Sequence, residues 1–182
     1  MKTVKTIMVV GCMPAMLAGT ARTETNGGKS AAKRTRIGTY DSRSVAVAFA
    51  GSEACSKWMS DLKAEHDKAK AAGDQKRIGE LEAEGAVRQK LMHAQAFSTA
   101  AVDGILEQIK DSLPAIREKA GVTVLVSKWD KPGLAKFKDA ELVDVTPALV
   151  DAFNPNDRQR KSAIEIQKQN PIPLEQAESI KD

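Results

Sequence analysis

The sequence predicts an α+β fold that is mostly helical, with a long antiparallel helical hairpin, a coiled-coil arm, inserted in a small β-body that oligomerisation completes. Three observations predict it. Two heptad stripes follow each other along the chain with only Gly73-Asp74 between them. Short β-branched segments flank the stripes on both sides. Aromatic residues make up only 4% of the 182 residues and charged ones 29%, a balance that suits long solvated helices better than a thick core.

The first residues read as a leader. Lys2 and Lys5 precede an apolar run over 7–18, and Gly19-Thr20-Ala21 offers small residues for cleavage after Ala21. The expectation is a signal peptide over 1–21 and an exported, periplasmic chain. Two alternatives stand beside it. Val9-Val10-Gly11-Cys12 has the form of a lipobox, which would lipidate Cys12 and anchor the protein in the envelope. A retained membrane anchor is the other, but the run is short against the roughly 20 apolar residues a spanning helix needs. Residues 22–35 are small, polar and basic, as in a disordered linker.

The domain expected over 36–153 opens with Ile37-Gly38-Thr39-Tyr40, a short strand, and Asp41-Ser42, good helix caps. A first stripe then runs through Val45, Ala48, Ser52, Cys55, Met59, Leu62, His66 and Ala69 at alternating spacings of three and four. Gly73 ends it, because glycine tolerates the left-handed conformation that closes helices. A second stripe runs through Ile78, Leu81, Gly85, Arg88, Met92, Gln95, Thr99, Val102, Leu106, Ile109, Leu113, Ile116 and Ala120. Two such helices joined by a tight turn fold back on each other, so the arm is expected over about 43–120. The end near Gly73 has the smaller and more polar seam and is expected to be the looser. Pro114 predicts a kink or a new helix start.

The β-body is expected over 36–42 and 121–153. Val122-Thr123-Val124-Leu125-Val126 is the strongest strand pattern, Lys131-Pro132-Gly133 is turn chemistry, and 140–145 is a weaker strand. Thr146-Pro147 opens a short helix over 148–153. Residues 154–182 read as a polar, disordered tail. Strands this few and short make a poor independent sheet, which points to completion by other copies.

No catalytic constellation emerges, and neither a cofactor nor a metal site is expected. His66 and His93 have no further ligands at fitting spacing. Cys55 sits at a seam position without a Cys-His signature and reads as a small buried hydrophobe. Glu80, Glu82 and Glu84 read as a solvated face, and Asn26-Gly27-Gly28-Lys29 lacks the strand and helix of a phosphate loop. Trp58, beside seam residue Met59, packs at the hairpin's edge or contacts cargo. The net charge of +4 falls by two if Lys2 and Lys5 leave with a leader. It favours acidic partners or an anionic membrane surface, while no basic stripe interleaved with aromatics marks a nucleic-acid binder.

The order of these pieces resembles the Skp/OmpH-like periplasmic chaperones. Arg36-Ile37-Gly38-Thr39-Tyr40-Asp41-Ser42 is similar to the family's opening strand and helix entry. Ile105-Leu106-Glu107-Gln108-Ile109-Lys110, running on to Glu118-Lys119-Ala120-Gly121-Val122, is similar to its return helix and the strand after it. Val143-Asp144-Val145-Thr146-Pro147-Ala148-Leu149-Val150 resembles its closing strand and helix. The resemblance implies a homotrimer in which Ile37, Tyr40, Val124, Val126, Val143 and Val145 lie in the body and help trimerisation. The heptad spacing itself puts the hairpin seam through Val45, Met59, Leu62, Ile78, Leu81, Met92, Val102, Leu106 and Ile109. The resemblance also implies an ATP-independent holdase for unfolded outer-membrane or envelope proteins. The hairpin is short for that family, and Pro147 and the polar tail depart from it. The alternative is a structural coiled-coil envelope protein that binds a fixed partner, tethered through Cys12 in the lipobox reading.

Overall fold

A computed structural model describes residues 35–180. The expected leader over 1–21 and the linker up to residue 34 lie outside the described residues. The protein is mostly helical around one small parallel sheet. In chain order come β1 (Arg36–Tyr40), α1 (Ser42–Ala50), α2 (Glu53–Ala72), α3 (Gln75–Phe97), α4 (Asp103–Leu106), α5 (Leu113–Ala120) and β2 (Leu125–Ser127). Then follow α6 (Lys131–Ala135), β3 (Glu141–Asp144), α7 (Thr146–Asp151), α8 (Asp157–Glu165) and α9 (Leu174–Glu178). Single 3₁₀ stretches follow α4 and α8.

The sheet has the order β2-β1-β3, and β1 pairs in parallel with both neighbours. Gly38 faces Leu125 on one side and Val143 on the other. A β-carbon at Gly38 would lie 2.7 Å from Leu125 Cδ2 and 3.2 Å from the Val122 and Val145 methyls, so a larger residue would make these side chains shift. The main core joins Tyr40, Val45, Ala48, Val102, Ile105, Ile109, Val145, Leu149, Val150 and Phe153, all buried. Phe49 meets Phe153 edge to face at 6.2 Å.

Several expectations are corrected. The first stripe is not one helix. Gly51 closes α1, and the Ser52 side chain accepts the Cys55 amide to open α2. The second stripe does not run to residue 120. α3 ends at Phe97, and Gln95 Nε2 donates to the Ala101 carbonyl at 2.7 Å across the break. The cause is tertiary: Val102, Ile105 and Ile109 leave the heptad path to fill the core beside Val45. Val45, Val102, Leu106 and Ile109 therefore pack in the body and not in a hairpin seam. Pro114, by contrast, marks the new helix start expected of it: it falls in the first turn of α5, where its missing amide costs nothing. The strong pattern over 122–126 becomes a strand only at Leu125, with the Val124 carbonyl accepting from the Gly38 amide and Val122 buried ahead of it. Lys131-Pro132-Gly133 forms a short helix capped by Asp130 and not a simple turn.

The tail is the largest correction. Asn154 turns in the left-handed region (φ 52°), and Asn156 and Gln159 form a reciprocal capping box that starts α8. α8 packs on α1, with Ala163 fully buried, and Gln159 Nε2 donates to the Gly51 carbonyl at 2.7 Å. α9 packs on α3.

Candidate functional site

α2 packs chiefly on α3. Gly73, left-handed at φ 68°, caps α2, and Asp74 accepts the Arg77 amide to start α3. Cross-contacts then step in opposite directions along the two helices. Arg77 pairs with Glu65 at 2.5 Å, His66 Nε2 meets Glu82 at 3.5 Å, and the Arg88 guanidinium lies 4.7 Å from the Trp58 ring centre. The end near Gly73 is closed by buried Ala69 and Leu81.

The slack lies further along. Gly85 has no side chain to meet Leu62, and an open groove of about 460 Å³ forms there. Its apolar walls are Trp58, Met59, Leu62, Leu81 and Met92, with Lys63, His66 and Glu82 as charged or titratable neighbours. Met59 is 56% exposed. Val87 and Leu91, one turn apart on α3, are 67% and 51% exposed outside the groove. Of the predicted seam residues, Met59, Leu62, Leu81 and Met92 come together here, and Ile78 is half-buried nearer the turn. Arg88 stacks on Trp58, whereas Gln95 is a buried clip at the end of α3 and no slack seam position.

His66 and His93 both line the groove, and His93 lies 5.8 Å from the Phe97 ring. Among the described residues no three His, Cys, Asp or Glu side chains gather as metal ligands. Cys55 is buried, and burial pushes its thiol pKa up, which disfavours the thiolate.

A polar knot sits at the carboxyl end of β1, and sequence reasoning missed it. Asp41 Oδ1 accepts from Arg43 Nε at 3.2 Å and from Trp129 Nε1 at 3.0 Å. Oδ2 accepts from Arg43 Nη2 at 3.0 Å and pairs with Lys128 Nζ at 2.7 Å. Both Asp41 and Arg43 are fully buried, and Arg43 and Lys128 each lie about 5 Å from the Trp129 ring centre. Burial alone works to raise the Asp41 pKa, but hydrogen bonds from Arg43, Lys128 and Trp129 outweigh it and hold the carboxyl at about 2. The Asp41 amide donates to Thr146 Oγ1 at 3.0 Å, and Arg43 Nη1 donates to the Gln169 carbonyl at 2.9 Å. With all its oxygens engaged, the knot holds β1, the turn after β2, α7 and the tail together. The signal available in sequence is a charged residue directly after β1 and after β2, Asp41 and Lys128.

Of the residues assigned to trimerisation by resemblance, Ile37, Tyr40, Val126 and Val145 are buried by this chain's own atoms. Val143 is half-buried, and Val124 is 37% exposed. Among the described residues no helix is long and apolar enough to cross a membrane. Compared with known protein families, curated proteins and solved structures, the chain matches none.

Proposed function

We propose that the protein is an exported, ATP-independent holdase that shields apolar segments of unfolded outer-membrane or envelope proteins. The observation that carries this reading is the open apolar groove between α2 and α3, with its methionines and tryptophan. Methionine is unbranched and polarisable, so it moulds to varied apolar partners. The exposed Val87 and Leu91 extend the sticky area beyond the groove. In this reading the α2–α3 pair is the arm of a helical hairpin, and copies associate through their β-bodies in the periplasm. A second reading, a scaffold tethered through Cys12, is favoured by Val9-Val10-Gly11-Cys12 and is separated by mass spectrometry of the mature N-terminus.

The test is light scattering while a urea-unfolded outer-membrane β-barrel is diluted without ATP. The expected outcome is suppression that saturates at a fixed ratio of protein to client. Met59→Glu with Leu91→Glu should abolish most of that suppression, because both side chains are exposed and their change costs the fold roughly 0.5 kcal/mol or less each. Unchanged aggregation in the presence of the folded wild-type protein defeats the holdase reading.

A further inference from the structure

The C-terminal segment lies where the groove continues. Beyond Gln169 the chain returns to α3, and the Ile172 amide donates to the Phe97 carbonyl at 2.9 Å. α9 then packs along α3, with Ala177 fully buried and Ile180 half-buried. Ile180 closes a hollow of about 280 Å³ whose walls include Phe49 of α1 and Ala96 and Phe97 of α3. Met92 and His93 line both this hollow and the groove between α2 and α3. The two adjoin along α3 through Met92 and His93, with Ile180, just after α9, lining the second of them. Within α9 Ala177 is buried while Glu175, Gln176 and Glu178 are exposed and Leu174 is 49% exposed, so the helix turns one narrow apolar face to α3.

We propose that residues 171–180 act as a built-in competitor, occupying the end of the surface that an apolar, helix-forming client segment takes when it displaces them. The proposal rests on the capture reading above and adds its regulation. Three features suit the segment to displacement. α9 has only five residues, which is too short to be stable as a helix without its seat. It meets α3 through the Ile172 bond and the packing of α9 around the small side chain of Ala177. The Arg43 bond to Gln169 lies before it, so the knot at Asp41 survives when the segment lifts. Client affinity is then lowered by the fraction of molecules with the surface covered.

The experiment uses a fluorescein-labelled neutral amphipathic peptide of Leu, Ala and Gln, followed by anisotropy. Full chain, a chain ending at Asn170, and the full-length variant Ala177→Glu are compared. Ala177→Glu puts a charge at a fully buried seat and lifts α9 without shortening the chain, should the truncation fail to fold. Both altered proteins are expected to bind the peptide at least about fivefold more tightly than the full chain. A synthetic peptide of residues 171–182, added to the truncated chain, should return the affinity to the full-length value. Equal affinity for all three proteins overturns the competitor and leaves the groove standing. No binding by any of them, each shown to be folded and helical, overturns the capture reading and the competitor with it.

Discussion

Asp41 is fully buried yet ionised, and its surroundings decide its pH dependence. Its folded pKa of about 2 lies below the ordinary 3.8, so the ionised form is the one the fold stabilises. That stabilisation is fully present above pH about 4 and is lost as pH falls through about 2. The shift corresponds to about 2 kcal/mol. Urea unfolding followed from pH 5 to pH 2 should show this loss, and Asp41→Asn should remove that acid-dependent step. Asp41→Asn should also cost roughly 3–5 kcal/mol at neutral pH, because Arg43 stays buried without its anion. Tyr40 behaves in the opposite sense. Burial first, then the nearby Asp103 and Asp130 carboxylates, push its phenol up to about 12. Its contribution is intact below the ordinary value of 10.0 and drains away as pH rises toward 12. Tyr40 is the only tyrosine, so phenolate absorbance reads it alone. A folded-state midpoint near 10 would refute this placement.

Gly73 shows the element scale most cleanly. It closes α2 at φ 68°, a conformation that costs other residues about 1 kcal/mol or more. A β-carbon there meets nothing within 4 Å, so Gly73→Ala tests backbone strain alone. The expected outcome is a loss of about 1 kcal/mol of stability, seen as a lower urea midpoint with an unchanged slope. This turn was legible because Gly-Asp carries both the helix stop and the next cap. The breaks at Gly51 and after Phe97 were not, since Ser52 and Thr99 are small enough to pass as seam positions. Whether Val102 and Ile109 continue a stripe or fill a core depends on β1 and α7 arriving beside them, and spacing carries no trace of that. α8 was hidden by composition. Its residues are nearly all polar, and Ala163 alone gives it a fully buried seat. The signal was present in Asn156 and Gln159, three apart at the start of the helix.

At the scale of the molecule, the groove was half readable. Gly85 marked a gap in the stripe, and the apolar residues around it were identified, but the packing of α9 on α3 was not, because proline and polar residues suggested an unstructured tail. The sheet has a further consequence, for the order in which the chain acquires structure. β1 is the central strand, yet it is the first element described from the N-terminus. Its neighbours, and the groups that complete its Asp41 knot, lie 88 and 105 positions later at Trp129 and Thr146. A chain emerging N-terminus first can wind α2 and α3 locally, but β1 stays an unpaired ribbon until β2, beyond α5, is out. Closing loops of that length before any sheet bond forms makes the body the slow, late step of folding. The helical pair is thus the part that matures early, and the body sets the pace.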